Sequence, residues 1–342
     1  MTQFVDWDLA AATARTVATS GPHMRLDEAR DEVRQLRAAA ARAADHVSEF
    51  TQMMPAQAVP IRVVDRAGWS SANVEGMKAL LDPLSEKISG DPGLLVKVIG
   101  SRLAGTQVGA VLGFLSGKVL GQYEIFGRPD GRLLLVAPNI VATTRQLDAD
   151  PGDFRMWVCL HEAAHAAQFG AVEWLRDHFL TEIDAFANGE SESGDLVQRV
   201  RQMVAVVADS VRDADGDTSV VDLVTSPQQR EAMERLTALM TLLEGHADYI
   251  MDAVGDGVIG NVGRLRRKLD RRRLTTSPLQ RVVRRLLGMD AKFKQYVRGR
   301  AFVSAVVDEV GMDRFNRVWE SPENLPNLEE ISEPTAWVRR VA

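Results

Sequence analysis

Residues 157–169 read Trp157-Val158-Cys159-Leu160-His161-Glu162-Ala163-Ala164-His165-Ala166-Ala167-Gln168-Phe169. Four alanines favour helix and leave space above the histidines, while Phe154, Trp157 and Leu160 can anchor the helix in a core. On such a helix His161 and His165 lie one turn apart on one face, so both imidazoles can bind one ion. Glu162 is rotated about 100° from His161, near enough to touch a water on that ion without displacing it. Zinc lowers the pKa of such a water to about 7, and Glu162 is placed to take its proton as it attacks a carbonyl. Random placement of the six histidines and the glutamates yields only about 0.006 expected His-Glu-x-x-His matches. The competing reading, two hydrogen-bonded core histidines on an Ala-rich helix, does not account for that spacing.

A catalytic zinc needs a third protein ligand and an open fourth position. The pattern that continues with glycine three residues after the second histidine, and histidine three further on, meets Gln168 and Ala171 instead. The better source is Leu242-Leu243-Glu244-Gly245-His246-Ala247-Asp248-Tyr249-Ile250-Met251-Asp252. Glu244 and Asp248 share a helical face, so Glu244 can bind the ion while Asp248 accepts a hydrogen bond from the far nitrogen of a ligand histidine. His246 lies about 200° around that helix from Glu244, and the two cannot easily reach one ion. Glu244 is therefore preferred, with His246 as the alternative. Apolar neighbours argue against a merely solvated acidic face.

Other chemically capable side chains carry weaker signals. His178, in WLRDHF, is read as an exposed or capping residue rather than a substrate contact. Tyr123, Tyr249 and Tyr296 are the three tyrosines, and each is a possible oxyanion donor. Cys159 faces roughly away from His161 and reads as a buried packing residue.

The surrounding periodicity is mostly helical. Residues 26–50, 73–87, 153–169, 228–253, 278–287 and 292–310 carry it, with Pro83 a possible kink or stop. Strand signal is confined to residues 61–64, 122–126 and 132–136. The last two flank Gly127-Arg128-Pro129-Asp130-Gly131, a turn sequence that implies a hairpin. Residues 188–195 and 213–217 read as acidic loops; the second lacks the glycine and closing glutamate positions of a calcium loop. No repeat or long linker divides the chain. The expected architecture is mainly α with a small β-sheet or hairpin, an α+β class. It is read as one domain over 1–342, with a helical portion of about 1–120 packed on a catalytic core of about 121–342.

At 342 residues, 45% hydrophobic and 26% charged, the chain can bury a large core, which excludes wholesale disorder. A single cysteine excludes an internal disulfide and multi-cysteine metal sites, pushing any metal onto histidine and carboxylate. The apolar stretch at residues 103–117 falls short of the roughly 18–20 residues a span needs. Its glycines at 105, 109, 113 and 117 form one stripe, read as a close helix contact inside a soluble fold. Asp6 and Asp8 stand where a signal peptide would be basic, so a cytoplasmic location is expected, with no membrane span. The net charge of −6 gives no reason to expect nucleic-acid binding. Within it, the segment from Arg264 to Arg285 carries +9 and the remainder −15. That segment is read as a solvated helix pairing with acids, with an acidic partner as the other possibility.

At these residues the chain resembles a bacterial family of zincin-like, zinc-dependent metallopeptidases, one also labelled as associated with deazaflavin coenzyme biosynthesis. The resemblance runs from Val5-Asp6-Trp7-Asp8 through Gly121-Gln122-Tyr123 and Leu134-Leu135-Val136-Ala137-Pro138-Asn139. It continues through both metal strings to Phe315-Asn316-Arg317-Val318-Trp319-Glu320 and Pro322-Glu323-Asn324-Leu325-Pro326. It implies a zincin fold, Zn2+ held by His161, His165 and Glu244, Asp248 supporting a ligand histidine, and Glu162 as catalytic base. The E-x-x-x-D pattern is similar to that of glutamate-ligand zincins, although Glu244 stands much further from His165 than is usual in them. The function so implied is hydrolysis of a peptide or small amide. The alternatives are a non-catalytic scaffold on the same fold and an amidohydrolase acting on a coenzyme precursor.

Overall fold

Strand β3 (Arg132–Val136) buries both of its faces, and the rest of the fold is organised on them. It lies at the centre of a three-stranded sheet of order β1-β3-β2, with β1 (Ile61–Val64) parallel to it and β2 (Gly121–Glu124) antiparallel. The register pairs Ile61 with Leu133 and Tyr123 with Leu133 from the other side. Because side chains alternate along a strand, Leu133 and Leu135 enter one core while Leu134 and Val136 enter another. The computed structural model describes residues 4–86, 94–128, 130–188, 227–274 and 294–342.

The smaller core, under Leu134 and Val136, is built by α1 (Trp7–Val17), α3 (Arg66–Glu86) and α4 (Leu94–Leu115). Asp6 caps α1 by accepting the Leu9 N–H at 2.9 Å. The glycine stripe lies on α4 and faces α1. A Cβ at Gly113 would sit 2.7 Å from the Ala14 carbonyl oxygen, and one at Gly109 would fall inside contact distance of the Ala10 carbonyl. Absence of side chains here lets two backbones touch, as the spacing implies. Among the described residues no helix is long and apolar enough to cross a membrane.

The larger core, under Leu133 and Leu135, holds α2 (Leu26–Thr51), α5 (Ala137–Leu147), α6 (Pro151–Ala171), α7 (Leu175–Asn188), α8 (Pro227–Val258), α9 (Val262–Leu274) and α10 (Lys294–Val310). The short α11 (Met312–Phe315), α12 (Leu328–Ser332) and α13 (Pro334–Val341) close it, with Trp337 fully buried. Alanines 39, 40 and 43 of α2 let that helix approach α6 closely, and Arg155 of α6 pairs with Glu32 of α2 at 2.8 Å.

This α+β architecture agrees with the sequence expectation, with local differences. The helix expected from residue 73 begins at Arg66, because Asp65 accepts the Gly68 N–H at 2.7 Å and caps it earlier, and it runs through Pro83. Helix α5 follows β3 without a loop. Helix α2 and strand β1 belong to the same core and sheet as the downstream elements, which mixes the two portions divided at about residue 120. The acidic stretch from residue 188 starts within α7, and beyond Asn188 it lies outside the described residues, as do 213–217 and the helix expected at 278–287.

Two glycines separate packing from propensity. Gly109→Val should lower stability by about 3 kcal/mol through overpacking. Gly257→Ala, on an exposed turn of α8 with open space around its Cα, should raise it by about 0.5–1 kcal/mol. Urea unfolding midpoints of the two variants test the pair.

Candidate metal centre

Helix α6 begins where Asp150 accepts the Asp153 N–H at 2.9 Å, with Pro151 at its first position. Phe154, Trp157, Leu160 and the four alanines bury most of its surface, which leaves His161 and His165 on a partly open face. Helix α8 crosses it antiparallel: Gln168 meets Leu243, His165 meets Glu244 and His161 meets Met251, while Asp153 meets Gly260 in the turn that follows α8. Behind Glu244, Gly245 of α8 lies directly against Gly299 of α10, with no room for a Cβ on either.

The crossing brings three donors together. Nε2 of His161 and Nε2 of His165 are 3.2 Å apart, and the Glu244 carboxylate oxygens lie 3.5 Å from the first and 3.8 Å from the second. Among the described residues this is the group of histidine, cysteine or acidic side chains whose ligand atoms converge, all within 4.8 Å of one another. Tetrahedral bonds of about 2.0–2.1 Å require donor separations of about 3.3 Å, close to the separations in this trio, so these three side chains fit a zinc ion.

Glu162 is buried beside this trio. Burial chiefly, and then the Glu244 charge, pushes its pKa up to about 8, opposed by a hydrogen bond from the Tyr123 backbone. Gly121 of β2 makes the space for it: a Cβ there would sit 2.7 Å from Glu162 Oε1. Strand β2 therefore runs past the carboxyl as an edge strand whose other side is not paired within the sheet.

The remaining candidates separate cleanly. His246 is fully buried, tilted against Phe315 and Trp319, and does not join the trio; burial lowers its pKa to about 3. Asp248 is buried one turn beyond Glu244 on α8. Met251 Sδ lies 3.1 Å from His161 Nδ1. The Tyr123 hydroxyl donates to the Asp130 carbonyl at 3.3 Å, and its ring stacks on Phe169, so its backbone rather than its phenol serves the site. Tyr249 packs on Phe50, and the Tyr296 side chain lies outside what is described. His178 packs edge-on against Trp174. Cys159 is buried, and burial pushes its thiol up to about 12, as a packing residue should be. Of the basic segment, Arg266 pairs with Asp252 and lies over Trp157, and Lys268 donates to the Leu147 carbonyl at 2.6 Å; residues 275–285 lie outside the described set.

Sequence reasoning missed two contributors. Gln168 entered only as a departure from a glycine pattern, although it stands three residues after His165 on the same face. Gly121 entered only within the string Gly121-Gln122-Tyr123 and without a role, since its neighbour Glu162 is remote in sequence.

Comparison with known proteins gives three results. The profile of a family described as zincin-like metallopeptidase matches residues 5–338. No curated protein matches the chain. Among solved structures, that of "a putative hydrolase with a novel fold from Chloroflexus aurantiacus" superposes with a TM-score of 0.71 at 30% identity, covering 98% of each chain.

A carboxyl whose pKa rises on folding stabilises the fold while it stays protonated. That contribution is complete below the unfolded value of about 4.3 and is lost as pH rises through the folded value near 8. In chelator-treated protein, stability relative to Glu162→Gln should therefore fall between pH 5 and pH 9, at no more than about 1.4 kcal/mol per pH unit. Urea unfolding of both proteins across that range measures the difference.

Proposed function

The chain belongs to the zincin-like metallopeptidase family, and from that premise we propose that it is a zinc-dependent hydrolase cleaving peptide amide bonds, with Glu162 as general base. The observation that carries this reading is the convergence of His161, His165 and Glu244 at 3.2–3.8 Å beside a buried glutamate. Zinc, when bound, lowers the pKa of a coordinated water to about 7 and polarises the substrate carbonyl.

Glu162 then has two tasks. It accepts the proton of the attacking water as the new carbon–oxygen bond forms, and it passes that proton to the amide nitrogen as the carbon–nitrogen bond breaks. Its burial would by itself keep it protonated near neutral pH, and a cation held by His161, His165 and Glu244 would favour the charged form that a base needs. The Tyr123 backbone hydrogen bond holds the carboxyl in place. The open side of β2 offers backbone N–H and C=O groups to an extended substrate running antiparallel or parallel to it. Asp248, buried one turn from Glu244, is the residue we assign to support a ligand imidazole from behind.

Purified protein should contain about one zinc per chain by elemental analysis, and His161→Ala should remove it. Glu162→Gln should keep the metal while lowering turnover on a peptide library by about 10²–10⁴-fold. Equal digestion by both proteins would overturn the assignment of Glu162, and absence of metal in protein prepared without chelator would overturn the zinc reading. Gly121→Ala should act like Glu162→Gln, since its methyl displaces the carboxyl and leaves the three ligands in place; metal content and turnover measured together check this.

A further inference from the structure

Gln168 occupies an unusual position for a polar side chain. It is fully buried and spans the interval between α6 and α8. Its side-chain nitrogen lies 2.9 Å from the Leu243 carbonyl oxygen and 3.0 Å from His246 Nδ1, while its oxygen lies 2.9 Å from His165 Nδ1. A backbone carbonyl can only accept a hydrogen bond. The atom facing Leu243 is therefore the amide nitrogen, and the atom facing His165 is the amide oxygen.

The protonation of both histidines follows. The amide oxygen can only accept, so His165 carries its proton on Nδ1 and presents the Nε2 lone pair to His161 and Glu244. The second amide N–H points at His246 Nδ1, which must be the unprotonated acceptor. The proton of His246 is then on Nε2, which is buried, has no hydrogen-bond partner among the described residues, and belongs to a ring packed 5.3 Å from Phe315 and 5.2 Å from Trp319. A histidine stationed there, at the cost of one unmet N–H, makes sense if its acceptor is needed.

We infer that Gln168 and His246 are positioning residues for the metal centre: the Gln168 amide, oriented by Leu243 and His246, selects the His165 tautomer and ties that imidazole to the backbone next to Glu244. The inference rests on the zinc reading above. It makes zinc affinity depend on an amide at 168 and on an acceptor at 246, neither of which touches the ion.

The test compares wild type, Gln168→Met, His246→Leu and His246→Asn. Zinc affinity is measured by competition with a chromophoric chelator, and the melting temperature of each metal-stripped protein is recorded beside it. Methionine fills the glutamine volume without an orienting amide. Asparagine can place its Oδ1 where Nδ1 stood, whereas leucine offers no acceptor. Gln168→Met should bind zinc about 10–100-fold more weakly. His246→Leu should weaken binding too, and His246→Asn should recover most of that loss without a matching recovery of metal-free melting temperature. If Gln168→Met does not fold, the two His246 variants decide. Unchanged affinity in Gln168→Met, equal affinities for the leucine and asparagine variants, or losses that follow metal-free melting temperature would each overturn the positioning role while leaving the zinc reading intact. A wild type that binds no zinc would overturn both.

Discussion

The antiparallel contact between α6 and α8 is the constraint on which this molecule turns, because it brings two histidines from one helix and a carboxylate from the other within 3.2–3.8 Å. That demands a helix separation set to a few tenths of an ångström, and close packing of small residues supplies it. Alanines 163, 164, 166 and 167 keep α6 slim. Gly245 and Gly299 bring α10 against the back of α8 at the residue following Glu244. Close-packed interiors transmit displacement rather than absorb it, so the position of Glu244 is set by α10 as much as by α8 itself. Asp252, paired with Arg266 and Arg300, joins α8, α9 and α10 two turns further along.

Electrostatics run against this packing at one point. Burying the Glu162 carboxyl beside Glu244 is unfavourable, as its raised pKa records. The fold tolerates it because the cavity is shaped by a missing side chain at Gly121 and because the Tyr123 backbone contributes a hydrogen bond. Such local discord inside an otherwise consistent core is what a reactive site requires. Cys159, three residues away, shows the contrasting case: burial chiefly, and then the Glu162 charge, outweigh Arg155 and Arg42 and hold its thiol protonated.

Much of this was legible beforehand, and the reasons differ by feature. The His161–Glu162–His165 spacing is a local helical property, so it needed no tertiary information. Glu244 could be preferred over His246 by rotation about one helix axis, and the structure turns His246 into the core accordingly. The glycine stripe on α4 likewise announced a backbone contact and met α1. What escaped was non-local. The parallel pairing of β1 with β3 joins residues such as Ile61 and Leu133 across the intervening α3, α4 and β2, with nothing in either strand to name its partner. Gln168 reaches Leu243 and His246 only once α6 and α8 have docked. The early start of α3 depended on Asp65 acting as a cap, outside the apolar periodicity that begins at residue 73.

The two buried faces of β3 also bear on how the chain comes apart. Leu134 and Val136 are part of one core, and Leu133 and Leu135, on the same five-residue strand, are part of the other. Loosening α1, α3 and α4 would strip one side of the strand to water while the other side stayed dry, and its pairing with β1 and β2 would have to survive on half its packing. A shared wall of this kind favours unfolding as one cooperative unit over stepwise loss of an outer lobe. The candidate metal centre, set on α6 and α8 in the other core, would then take its thermal endurance from glycines of a helix that does not carry it.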